Sequence, residues 1–167
     1  MADHAAWAVA YARQARADFE TYDQLRDWPI PECHKLQFLQ MACEKLVKSH
    51  LRANKGNLAD LQKSHAFVAK SLPVVLRRQA VLVGLGEGAI RNANHFAKCL
   101  SAEIEWPSPS ETREGRRSDN CEYPWESGDS QLHVPIDWSF TATQLPLGPS
   151  ARTFLNPTLG GINRLVV

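Results

Sequence analysis

No apolar run in this 167-residue chain approaches the roughly 20 residues that a membrane-spanning helix needs; the longest strongly apolar stretch lies near Val81–Leu85. Excess charge is missing too, with 19 Lys+Arg against 18 Asp+Glu and a formal net charge of +1. That balance excludes a whole-chain field drawing the protein onto nucleic acid or a membrane. The start, Met1-Ala2-Asp3-His4, lacks a charged region followed by an apolar one, so no secretory signal is expected. The four cysteines (33, 43, 99 and 121) form no CxxC pair, which argues against a zinc ribbon or redox motif and for free thiols in a reducing cytoplasm. The six histidines contain no His-x-x-x-His and have no acidic or cysteine cluster at ligand spacing, so neither metal nor cofactor is expected. GxxxxGK[ST] and G-x-S-x-G are absent, and Gly84-Leu85-Gly86-Glu87-Gly88 lacks the GxGxxG spacing and follows an apolar helix rather than a strand; it reads as a helix–helix junction.

What is present is ordinary for a globular domain: 44% hydrophobic and 22% charged residues, and a length that fits one core. Three of the ten prolines fall in residues 1–105 and seven in 106–167, so the chain changes character near Trp106-Pro107. The first part reads as helices. Trp7, Tyr11, Ala15, Phe19, Tyr22 and Leu25 recur at helical spacing over about Asp3–Arg26. After Pro31 a second helix runs to about Arg52, with Leu36, Leu39, Cys43, Leu46, Val47 and His50 on one stripe and His50 as a hydrogen-bonded core residue. Phe38 and Met41 lie off that stripe, which suggests packing on two sides. Gly56-Asn57 stops and restarts the chain; a third helix spans Leu58–Leu72, and Pro73 divides it from a shorter one, Val74–Val83. A last helix covers about Gly86–Glu105, with Ala89, Ala93, Phe96, Leu100 and Ile104 facing inward. The expected fold is all-α, a four- to five-helix up-and-down bundle over residues 1–105. Residues 106–167 form a mostly irregular, proline- and aromatic-rich extension, opening with a flexible connector, Pro107–Ser118, and packing on the bundle or a partner.

Within the second helix, Gln40-x-Ala42-x-Glu44-Lys45-x-x-Lys48 resembles the second helix of the HEPN family, small all-helical domains of prokaryotes and higher eukaryotes. Ser64-His65 through Leu72 resembles that family's third helix, which often opens with a histidine. The resemblance covers roughly residues 1–105. It implies a dimeric helical bundle that binds RNA or a nucleotide, often in a toxin–antitoxin or defence setting. Many such proteins are metal-independent endoribonucleases, and others associate with a small nucleotidyltransferase. The ribonucleases carry an arginine and a histidine with four to six residues between them, and the pairs from two protomers meet in one cleft.

This chain departs from that spacing. No histidine follows any arginine at the required interval, and the nearest match is Arg91-Asn92-Ala93-Asn94-His95, with three intervening residues. Residues i and i+4 share a helix face, so Arg91 and His95 are expected as neighbours. Histidine moves protons near neutral pH and arginine stabilises charge on a phosphate, which makes these two the candidate catalytic residues. Asn92 and Lys98 are candidate binding residues beside them, on a face that reads equally as a solvated exterior. Glu44, Lys45 and Lys48 read either as surface charge with an i,i+4 pair or as phosphate ligands. In the extension, Tyr123 and Trp125 are candidates for stacking on a base, or else part of an arm packed across the bundle.

Three functions follow as expectations. The first is a protein that binds RNA, a nucleotide or a nucleotidyltransferase partner without the intact ribonuclease motif. The second is an active endoribonuclease using Arg91 and His95 across a homodimer. The third is a structural interaction module with no nucleic-acid ligand.

Overall fold

The structure, a computed structural model, describes residues 3–63, 68–82 and 84–105, and beyond them 112–113, 116–117, 121–126 and 131–140. Its helices are α1 (His4–Leu25), α2 (Glu32–Ala53), α3 (Leu58–Lys63), α4 (Val68–Leu82) and α5 (Glu87–Glu105). Strand among the described residues is confined to two antiparallel pairs: β1 (Thr112–Arg113) with β2 (Arg116–Arg117), and β3 (Trp125–Glu126) with β4 (Leu132–His133). A 3-10 turn, Pro135–Asp137, follows β4. The protein is an all-α bundle, and the described residues of its extension form short strand pairs, a 3-10 turn and irregular segments.

Asp3 caps α1 by accepting the Ala6 N–H at 2.7 Å, satisfying one of the donors that every helix start leaves open. The buried stripe of α1 is Ala8, Ala12, Ala15, Phe19 and Tyr22. The alanines are all buried, and their small side chains let two helices approach closely. The expected Trp7, Tyr11 and Leu25 lie half-buried at its margin. Ser49 Oγ of α2 donates to the Ala8 carbonyl at 2.8 Å, and Lys45 Nζ reaches Asp18 at 2.6 Å. Late residues of α2 thus lie beside early residues of α1, and the two helices are antiparallel.

The turn after α2 divides its work between two residues. Lys55 takes the left-handed conformation, with φ of 65°. Gly56 supplies the close approach: its N–H donates to Leu51 O at 2.9 Å, and a Cβ there would sit 2.9 Å from that same oxygen. Asn57 Oδ1 then caps α3 by accepting from Ala59 N–H at 3.0 Å. Between α4 and α5, Gly84 (φ 73°) ends the helix in the usual left-handed manner.

Pro73 does not divide two helices, contrary to the sequence expectation. It lies inside α4 and is buried. An interior proline costs about 3 kcal/mol through a lost hydrogen bond and a steric clash. Val68, Leu72, Val75, Leu76 and Ala80 all bury on the same helix, and at about 1.5–3 kcal/mol for each larger side chain their burial outweighs that cost. Residues 64–67, including His65, lie outside the described part.

Helix α2 packs against α1, α4, α5 and the 3-10 turn. Its expected stripe from Leu36 to Val47 is buried, as are Cys33, Lys35, Gln40, Ala42, Lys48, Ser49 and Arg52 on other sides. The extension shares this core. Cys121, Trp125 and Phe140 belong to the same cluster as the helical residues, and the Cys121 thiol donates to Gln40 Oε1 at 3.1 Å. The stretch expected as a flexible connector contains the β1–β2 pair; its other residues, and 141–167, lie outside the described part.

Because Phe140 is a fully buried member of the bundle's own core, Phe140→Ala is expected to lower the stability of the whole fold by about 3–5 kcal/mol. Urea unfolding followed at the helical circular-dichroism band measures this. An unchanged midpoint would show that the bundle does not depend on the extension.

Candidate functional site

Helix α5 is anchored by Ala97, Leu100, Ser101 and Ile104, all buried, with Ile90 packed against the core. The side chains of Ala89, Ala93 and Phe96, also expected to face inward, lie outside the described part. Helical spacing places Arg91, Asn92, His95 and Lys98 opposite the buried stripe, and all four are exposed. His95 Nε2 lies 3.9 Å from the Cys99 thiol one turn on. No described residue forms an ion pair with Arg91 or Lys98. The arrangement is a convex, polar face on one helix, with exposed Glu87 one turn before Arg91: a guanidinium fork suited to phosphate oxygens, an ammonium two turns along, an amide and an imidazole. A single such face grips a ligand from one side, and enclosure needs a second body.

The α2 charges are spent elsewhere. Lys48 is 5% exposed and paired with Glu44 at 2.5 Å, while Lys45 holds the buried Asp18 of α1. These residues are interior ties, which corrects the reading of them as surface charge and leaves them unsuited to an external phosphate. Their i,i+4 spacing was legible, but their burial comes from packing α2 on several sides.

Trp125, read either as a base-stacking residue or as part of an arm packed across the bundle, takes the second role and is 4% exposed. Its ring stacks on His133 (centroids 5.4 Å) and meets Trp138 edge-on at 5.3 Å, with Phe140 at 6.3 Å. These contacts occupy the ring in the core and withdraw it from the candidate ligand set. Tyr123, by contrast, is exposed, but nothing described places it beside α5.

Another polar surface escaped the sequence reading. Lys70, Arg77 and Arg78 are exposed along one side of α4, a helix with no acidic residue. Their spacing of seven and eight residues was the signal available.

The thiols divide by environment. Burial pushes Cys43 and Cys121 up to about 12, so these are inert packing residues, while Cys99 is exposed. Among the described residues no group of three or more His, Cys, Asp or Glu is placed to hold a metal ion, and no helix is long and apolar enough to cross a membrane. Comparison with family models, curated proteins and solved structures returned no match.

His50 sits at the end of α2, half-buried. The Asn54 amide approaches its Nε2 at 3.4 Å. Burial holds the imidazole below its usual value, and nearby Arg78 acts in the same direction. The unfolded chain therefore binds more protons than the folded one near the ordinary histidine pKa of about 6.5, so stability is fully present above that pH and is lost as pH falls through it. His50→Gln should flatten the fall in urea midpoint between about pH 7 and pH 5 relative to the parent protein. A variant with the same pH slope as the parent would assign the acid sensitivity to other groups.

Proposed function

We propose that this chain is a HEPN-like protein that binds RNA through the outer face of α5, acting as a homodimer in a toxin–antitoxin or defence setting. The observation that carries the reading is the joint exposure of Arg91, Asn92, His95 and Lys98 on one face of a core-anchored helix. The phosphate backbone is the natural ligand for two cations that are not consumed by described carboxylates. Two copies facing each other across a cleft would supply the second wall that one convex helix lacks. Nucleotides, or a nucleotidyltransferase partner, would meet the same groups.

Cleavage is the second reading, favoured by the one-turn spacing that makes Arg91 and His95 neighbours. In that chemistry His95 takes the proton of the 2′-hydroxyl as its oxygen attacks phosphorus, the P–O5′ bond breaks to leave a 2′,3′-cyclic phosphate, a proton passes to the departing 5′-oxygen from His95 or water, and Arg91 stabilises charge on the phosphate. The three-residue gap in place of four to six keeps the binding reading first.

Fluorescence anisotropy with a labelled single-stranded RNA tests the first reading. Arg91→Ala and Lys98→Ala should each weaken binding about tenfold, from about 1.5 kcal/mol per charged hydrogen bond, and each should reduce the salt slope by about 0.7. Unchanged affinity and slope in both variants would sink the proposal. A metal-free cleavage assay of the same RNA with Arg91→Ala and His95→Ala separates the second reading, because cleavage that survives in both variants does not come from that pair.

A further inference from the structure

The exposed side of α4 mixes charge with grease. Lys70, Val74, Arg77, Arg78 and Val81 fall on one stripe, at steps of four and three residues. Val74 is 58% and Val81 57% exposed, large values for aliphatic side chains on a helix whose other face is core. With no acid on the helix, this stripe is apolar in the middle and positive at its edges.

The extension carries a face of opposite character. In the β3–β4 pair Trp125 lies opposite His133, and Glu126 lies opposite Leu132. Directly opposed residues share a side of the sheet, so the Trp125–His133 side turns to the core and the Glu126–Leu132 side turns outward. Strand alternation adds Val134 to the outward side, and Ile136 and Asp137 of the 3-10 turn are exposed next to it in the chain. Leu132 is 73% and Ile136 58% exposed. The result is an apolar row of Leu132, Val134 and Ile136 with Glu126 and Asp137 beside it.

We propose that these two faces bind each other between copies of this chain, the α4 stripe of one molecule seating on the β4 face of the next. Charge decides the occupant. Pairing α4 with a second α4 sets Lys70, Arg77 and Arg78 against their own kind, and pairing β4 faces opposes carboxylates; the crossed arrangement places cation against anion and aliphatic against aliphatic. Each copy owns one face of each type, so a two-fold axis lets two copies exchange both contacts and close as a dimer. A phosphate backbone would satisfy the α4 cations but gains little from Val74 and Val81, and it leaves the β4 row exposed. The inference rests on the RNA reading only for the homodimer, places that dimer's contact at α4 and β4, and uses no residue of the α5 face, whose RNA binding the anisotropy assay tests separately.

Sedimentation equilibrium of the full chain at concentrations up to about 0.5 mM provides the test. The parent protein should associate, and the association should weaken at about 0.5 M NaCl, where screening shortens the reach of charge to a few ångströms. Reversing α4 (Arg77→Glu with Arg78→Glu) or reversing the extension (Glu126→Arg with Asp137→Arg) should raise the dissociation constant at least about tenfold, equivalent to about 1.4 kcal/mol. Mixing the two variants in equal amounts restores opposite charge at both contacts, so the heterodimer should recover the parent's affinity, which also shows that both variants fold. Should either fail to fold by circular dichroism, Val74→Ser with Val81→Ser is expected to give the same loss. A parent protein that stays monomeric, or a mixture that does not recover, overturns the proposal. An association that responds to Arg91→Ala instead of the α4 variants overturns it too, and would place the dimer contact at α5.

Discussion

Helix α2 is packed against three other helices and the 3-10 turn, yet it carries Lys35, Gln40, Lys48, Ser49 and Arg52 at buried positions. That combination is the constraint on which the rest of the structure depends. A buried charge without a partner costs several kcal/mol, and a buried amide or hydroxyl somewhat less. Each group therefore has to find its partner before α2 can be enclosed. Lys35 finds Glu32, Lys48 finds Glu44, and Arg52 donates to the Gly56 carbonyl at 2.7 Å. The longer reaches fix tertiary register: Ser49 to the Ala8 carbonyl, Lys45 to Asp18, Gln40 to the Cys121 thiol. Sliding α1 by one turn along α2 would break two of these at once. Apolar contact supplies most of the stabilisation, while the polar ties select one register among several that would bury similar area. Arg52 Nε stands as an exception, buried without a hydrogen-bond partner.

The same ties sort the cations of the bundle into two populations. Lys35, Lys45 and Lys48 on α2 are neutralised by carboxylates close at hand. Lys70, Arg77 and Arg78 on α4 and Arg91 and Lys98 on α5 point outward, on helices whose apolar faces already satisfy the core. Surface cations outside the described ion pairs are the ones an external anion can use, and they belong to the second helical hairpin rather than to α2. The stretch of sequence that carries the family resemblance on α2 is thus structural in this chain, and candidate chemistry lies on other helices.

The all-α class and the helix positions were legible because periodicity and punctuation agree. Pro31, Gly56, Asn57 and Gly84 mark ends for stated steric or hydrogen-bonding reasons, and the structure ends or begins helices beside each of them. Pro73 was misleading because a local rule met a stronger tertiary term: the sequence shows the missing N–H, while the burial of Leu72, Val75 and Leu76 around it depends on α5 and α2 being present. Lys48 illustrates the same limit from the opposite side. Its pairing with Glu44 follows from spacing, whereas its enclosure follows from the number of neighbours α2 acquires, which no single-helix pattern encodes. In the candidate site, the outward placement of Arg91, His95 and Lys98 was readable from the helix stripe. The burial of Trp125 was one of two readings the sequence left open, and its partners His133, Trp138 and Phe140 could not be named because their packing follows no regular period.

Near-zero net charge looked at first like an argument against a phosphate ligand, and the folded surface changes its weight. Formal balance over the whole chain is compatible with strong local imbalance when acids and bases segregate. Here the outward charged residues of α4 are all cations, whereas Glu126 and Asp137 flank the apolar row of the extension. If those two faces pair between copies, their charges cancel in the assembly and withdraw from solvent together. The face of α5 would then be left exposed. Self-association and phosphate binding would draw on different cations, so assembly would leave Arg91 and Lys98 available instead of competing for them. A chain of balanced composition can in this way keep one charged surface for its own copies and another for a phosphate ligand.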